Sequence, residues 1–125
     1  MESVQPMGLD LTLLPFDADH ETISYSFTTL WCERKRELFD KLLELPAIKV
    51  PDHFRSFLCR DDAFEETHYG ITTTTPYGDP LTFVEVEALL EYRNHPGVQD
   101  NYLNNAVWSY LVCLPARMKV ALFWH

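Results

Sequence analysis

The residues best equipped for chemistry stand in one run of the chain: His53, Cys59, Asp61 and Asp62. A thiolate beside an imidazole is an activated nucleophile, and a carboxylate can orient that imidazole. Arg60 would favour the Cys59 thiolate. Glu65, Glu66 and His68 add a second mixed acid and imidazole group, so His53 to His68 bounds the candidate enzymatic site. The competing reading is structural. "FRSFLC" is apolar enough to make Cys59 a core residue, and Glu65, Glu66 and His68 suit a solvated surface.

A second cluster, Asp17, Asp19 and His20, lies in "FDADH". Oxygen and imidazole donors suit a hard or borderline metal ion. The run lacks the glycine turn and terminal Glu of a calcium loop, and no HExxH spacing occurs. A polar hairpin loop explains it equally well. The three cysteines, Cys32, Cys59 and Cys113, have no metal-ligand spacing. They read as reduced, small buried hydrophobes in a cytoplasmic protein. No cofactor and no metal is expected. Gly78 and Gly97 stand alone beside prolines, as turn residues, and no glycine-rich phosphate loop exists.

The elements that would hold these residues follow from periodicity. "LDLTLL" alternates Leu9, Leu11 and Leu13 against Asp10, Thr12 and Leu14, which predicts a strand ended by Pro15. Thr22–Thr28 alternates Ile23, Tyr25 and Phe27 against Ser24 and Ser26. Joined by a polar loop, the two predict an antiparallel hairpin with the serines facing water. In "CERKRELFDKLLELP", Leu38, Leu42 and Leu45 recur at helical spacing, flanked by Phe39 and Leu43, and Pro46 ends the helix. Residues 47–71 carry no clear period.

"TTTTPYGDPLTF" has the strongest punctuation. β-Branched threonines favour an extended backbone over Ile71–Thr75, as an edge strand or connector, and Pro76-Tyr77-Gly78 is turn chemistry. Thr82 with Glu85 three residues later has the form of a capping box, and Leu81 with Val86 that of a hydrophobic staple. This predicts a helix from Thr82 to about Arg93, with Val86, Leu89 and Leu90 inward and "NHPG" as its stop. A further helix fits "QDNYLNNAVWSYLVCLP". Its expected apolar stripe is Leu103, Val107, Tyr110, Leu111 and Leu114, with Asn104, Asn105 and Ser109 facing water. "MKVALFWH" alternates Val120, Leu122 and Trp124 and reads as a C-terminal strand. The order predicts an α+β fold: a small antiparallel or mixed sheet, from an N-terminal hairpin and a C-terminal strand, with about three helices packed on it. The 125 residues, 46% of them hydrophobic, suit a single domain over 1–125. If Met7 is the native start, residues 1–6 are an extension.

Net charge is −9 and unevenly spread. Residues 61–100 hold nine acids (Asp61, Asp62, Glu65, Glu66, Asp79, Glu85, Glu87, Glu91 and Asp100) against Arg93 alone, a sum of −8. Direct nucleic-acid binding needs clustered Lys and Arg on phosphate and is disfavoured, as is an anionic membrane surface. The acidic segment reads either as a solvated face or as a surface that docks on a basic patch of another protein. Glu85, Glu87, Glu91, Asp61, Asp62, Glu65 and Glu66 are the candidate contact residues. Glu87 and Glu91, four apart, put like charges on one helix face at a small cost. Arg34-Lys35-Arg36 is the chain's basic cluster, on a solvated helix face or as a contact for an acidic partner.

"MGLDLTLLPFD" and "NNAVWSYLVCLPARMKVALFWH" together resemble small uncharacterised proteins of phages and prophages. Those proteins open on a Met-Gly-Leu-Asp strand and close on a helix, a proline turn and a Val-x-Leu-aromatic-Trp strand. The resemblance covers about a third of the chain, and its motifs are structural. It implies an accessory protein of a mobile element, acting in the host cytoplasm. The reading that follows is a non-enzymatic accessory or inhibitor protein that binds another protein through its acidic surface. The alternatives are a small enzyme around His53–His68 and a homodimer built on surface aromatics.

Overall fold

Two strands from opposite ends of the chain form the centre of the molecule. β1 (Leu11–Phe16) and β7 (Lys119–Trp124) pair antiparallel over their full length, from Leu11 opposite Trp124 to Phe16 opposite Lys119. The computed structural model describes residues 9–17, 26, 28–56 and 70–125. Five strands form one antiparallel sheet in the order β2-β1-β7-β6-β3, with β2 at Leu30–Cys32, β3 at Ile48–Lys49 and β6 at Thr82–Glu85. A separate ladder joins β4 (Arg55–Ser56) to β5 (Gly70–Ile71). The helices are α1 (Arg36–Leu43), α2 (Val86–Leu90), α3 (Pro96–Gln99) and α4 (Tyr102–Val112). This is a small α+β fold, as the element order implies.

All six residues of β1 are buried, so both faces of the sheet are covered there. Alternation sends Leu11 and Leu13 to one side, where they join Val84, Val120 and Leu122 under α1, α2 and α4. Leu14 and Phe16 point the other way and meet Ala121, Phe123, Val50, Phe54 and Leu81. Phe16 packs edge-on against Phe54 at 4.8 Å and Phe83 at 5.5 Å between ring centroids. The 50–56 and 72–81 segments are thus a second covering layer, and residues 47–71 have no clear period because they include this irregular layer. The expectation of helices on one face holds; the other face is covered by loop and ladder.

β1 runs through Pro15 and does not end before it. Asp10 and His125 exchange both backbone hydrogen bonds, so even-numbered β1 residues form the bonded pairs with β7. Pro15 falls on a non-bonded pair with Val120, and its nitrogen points to the β2 side. β2 has already ended there, its last pairing with β1 being Leu30 with Leu13. A residue without an N–H is tolerated at that place. Of the predicted Thr22–Thr28 strand, Ser26 and Thr28 are described. Ser26 bridges Phe16 and is 2% exposed, so its hydroxyl faces the interior, donating to the Thr28 carbonyl, rather than water.

The capping box is overturned. Thr82–Glu85 is strand β6, paired to β7 on one side and, at Thr82 and Phe83, to β3 on the other. α2 starts at Val86, and Glu85 precedes it with no side-chain cap. The T-x-x-E spacing was local, whereas Leu81, Phe83 and Val84 find partners across the sheet, and strand pairing wins. α2 ends at Leu90, with Glu91 as its C-cap, short of the expected end near Arg93, and "NHPG" opens α3 instead of stopping α2: Pro96 is the first helical residue, where a missing N–H costs nothing, and His95 is the cap.

Ile71–Thr75 is extended and becomes one arm of a hairpin. Thr74 bridges Pro80, Gly78 N–H donates to Thr75 O, and Thr75 N–H donates to Asp79 O. Gly78 has φ +86°, the left-handed residue that lets such a turn rejoin its strand. The threonine run is thus a hairpin arm and connector, with its Thr72 hydroxyl buried against that of Ser56 at 2.9 Å.

Candidate functional site

The carboxylates of the sequence-derived sites part company in three dimensions. Asp17 pairs with Arg117 at 3.1 Å across the turn before β7. Asp10 pairs with Arg34 at 2.9 Å, which takes one cation of the Arg34–Arg36 cluster into an internal contact. Glu85 pairs with Lys119, its neighbour across β6 and β7. Glu87 and Glu91 are different. Both are exposed at the outer side of α2, and neither makes an ion pair among the described residues. The structure therefore separates Glu85 from the other two. Asp19, His20, Cys59, Asp61, Asp62, Glu65, Glu66 and His68 lie outside the described residues.

His53 is half-buried, and its Nε2 has no hydrogen-bond partner among the described residues. Cys32 is fully buried in the helix-side core, and burial pushes its thiol up to about 12. Such a group stays protonated at neutral pH and is no nucleophile. Cys113, at the end of α4, is exposed. Among the described residues, no three His, Cys, Asp or Glu side chains converge to hold a metal ion. No helix among them is long and apolar enough to cross a membrane.

One polar cluster escaped the periodicity. Asn104, expected to face water, has no exposed surface. Its Oδ1 accepts from the Glu33 N–H at 2.7 Å, and its Nδ2 donates to the Glu33 carbonyl at 2.9 Å and to the Gly97 carbonyl at 3.0 Å. Asn101 caps α4 by accepting from the Asn104 N–H, and its Nδ2 donates to the Glu33 carboxylate. Three segments are thereby tied together: the β2–α1 link, α3 and the start of α4. The Asn-x-x-Asn spacing at a helix start was the available signal, since a capping asparagine at that place is common.

This clamp stands behind an open cleft of about 280 Å³ between α1 and α3, lined by Lys35, Arg36, Glu37, His95, Gly97 and Asp100 among others. His95 Nδ1 accepts from the Gly97 N–H at 2.9 Å, so the neutral ring carries its proton on Nε2. The cleft mixes both signs of charge. His95 caps α3 from its side, and among its described lining nothing forms a nucleophile with a base.

The outer side of α4 is the other unusual surface. Residues 101–116 carry no Asp, Glu, Lys or Arg in a chain that is 23% charged. α4 turns Val107, Trp108 and Leu111 inward with Asn104; the Trp108 indole donates to the Leu89 carbonyl at 2.7 Å. That leaves Tyr102, Ala106, Ser109, Tyr110 and Cys113 exposed, with Tyr102 at 81%. Tyr110, expected inside, is outside because Trp108 takes the inward place. Its hydroxyl meets that of Thr28 at 3.2 Å, beside the edge strand β2. No family model, curated protein or solved structure matches this chain.

Proposed function

We propose that this chain is a non-enzymatic binding protein, an accessory or inhibitory factor that docks its acidic α2 face on a basic patch of another protein. One observation carries the reading. Glu87 in α2 and Glu91, the C-cap of that helix, are exposed four residues apart with no cation partner among the described residues, while Asp10, Asp17 and Glu85 each have one. Such a pair costs the helix a few tenths of a kcal/mol. It raises association rates with a basic partner by steering. Asp61, Asp62, Glu65 and Glu66 remain further contact residues of this proposal. The origin in a phage or prophage, and action in the host cytoplasm, rest on the resemblance of the two chain ends alone.

The test takes the partner recovered by affinity capture and measures on-rates for the wild type and for Glu87→Lys/Glu91→Lys at low and high salt. A docking role requires a slower on-rate for the variant and a wild-type rate that falls with salt. Equal rates in all four conditions would remove α2 from the interface. Glu85→Lys is unsuitable here, because it would break the pair with Lys119.

The small enzyme around His53–His68 keeps a place because the buried Nε2 of His53 is unpartnered among the described residues. An activated thiol at Cys59 would be alkylated by iodoacetamide at about pH 6, well below the range in which an ordinary thiol ionises. That labelling would be lost in His53→Ala. Labelling with this dependence would put the enzyme first; none at Cys59 would end that reading.

A further inference from the structure

We infer that the uncharged outer face of α4 is a self-association surface, on which a second copy of the chain packs its own α4 antiparallel about a two-fold axis at Ala106. The starting point is charge. Each copy carries −9, so two copies repel wherever acidic surfaces meet. Residues 101–116 bring no charge to the contact. Their exposed members, Tyr102, Tyr110 and Val112 among them, are of the kind that fills interface centres, where charge is depleted and tyrosine enriched.

The spacing then selects the geometry. Tyr102, Ala106 and Tyr110 stand at i, i+4 and i+8, a small residue between two large ones on one side of the helix. A two-fold axis through Ala106 sets each Tyr102 opposite the partner's Tyr110 and leaves the two alanines facing each other at the closest approach. The same residues then serve on both copies, as an isologous interface requires. The tyrosines are about 12 Å apart along the axis, at about 1.5 Å per residue, so both pairs form at once. A parallel arrangement would stack equal residues and align the helix dipoles; the antiparallel one opposes them. One short helix per copy buries less than a standard interface of about 1,600 Å², so the dimer belongs to the weak, concentration-dependent class.

Sedimentation of the full chain reads this directly. The weight-average mass should rise from near 14.6 kDa towards twice that value as the concentration is raised. Ala106→Arg puts two cations face to face on the axis and should hold the chain monomeric throughout, with circular dichroism as the check on folding. Tyr102→Lys serves if that variant does not fold. A wild type that stays monomeric at every concentration, or an Ala106→Arg chain that dimerises like it, overturns the inference.

Cross-linking tests the register. With Cys59 and Cys113 replaced by serine, Ala106→Cys should oxidise to a covalent dimer. A chain that keeps Cys113 and lacks Cys59 should not, because seven residues from the axis the two thiols lie about 20 Å apart along the helices, beyond disulfide reach. The reverse result overturns the antiparallel geometry. Glu87→Lys/Glu91→Lys should not abolish the dimer while slowing partner association, so the two surfaces fail or survive separately.

Discussion

Asn104 and Glu33, 71 positions apart, exchange two hydrogen bonds between one side-chain amide and the backbone of one residue: Oδ1 accepts from the Glu33 N–H and Nδ2 donates to the Glu33 carbonyl. The fit is that of a strand partner, made by a side chain. It anchors the chain where it leaves the sheet edge for α1.

Asn104→Ala should therefore be among the more destabilising single changes outside the apolar core. It strands the Glu33 N–H and the carbonyls of Glu33 and Gly97. At about 1–3 kcal/mol for a buried unsatisfied group, discounted for the partial exposure of Glu33, the loss is about 2–4 kcal/mol. Urea denaturation measures it, and an unchanged midpoint would remove the clamp from the account. Asn104→Asp should not rescue, since it lacks both donors and faces two carbonyls.

Phe83→Pro separates the strand from the capped helix. With Thr82 as cap, Phe83 would be the first helical residue, where proline is welcome. In β6 it pairs with Ile48 on one side and Ala121 on the other. The proline variant should lose about 1–3 kcal/mol relative to Phe83→Ala, which controls for the lost ring, because it removes a ladder hydrogen bond and leaves its acceptor unpaired. Equal melting temperatures for the two would restore the helix.

Two glycines should resist alanine for opposite reasons. At Gly78 nothing lies within 4 Å of an added Cβ, so the cost is backbone strain at φ +86°, about 1–2 kcal/mol. At Gly97 an added Cβ would stand 2.9 Å from the Leu38 Cβ and 3.3 Å from that of Lys35. Gly97→Ala must push α3 from α1, at about 1–3 kcal/mol. Gly78→Asn, which tolerates the left-handed region, should recover most of the loss; Gly97→Ser should recover none. Thermal melts of the four variants decide it.

Cys32 sets a limit at high pH. Burial holds the thiol protonated in the folded chain to about 12, against 9.0 for the ordinary thiol. The raised value means that its contribution is complete below pH 9.0 and is lost as pH rises from there towards 12. Across that window the stability of the wild type should fall more steeply than that of Cys32→Ala, by up to about 1.4 kcal/mol per pH unit. Equal slopes would mean that Cys32 ionises freely in the folded state. At pH 8, Ellman's reagent should reach Cys113 and spare Cys32.

Much of the fold was legible in the chain because its cause is local. The alternation of Val120, Leu122 and Trp124 and the helical spacing of Leu38 and Leu42 are burial patterns, and each side chain went where its period put it. The left-handed Gly78 followed from turn chemistry alone.

What the sequence could not decide depended on partners distant along the chain. Thr82 and Glu85 make a sound capping box in isolation, but β3 and β7 offer that segment both edges of a sheet. Pro15 is a strand ender by rule, and a strand residue here because the β2 ladder stops at Leu13. Asn104 is polar and belongs outside until Glu33 and Gly97 supply hydrogen bonds in the interior. By itself the sequence set which residues are apolar, charged or conformationally special. The tertiary structure decided which polar groups find partners, because a buried hydrogen bond depends on where two segments meet, and no local period records that.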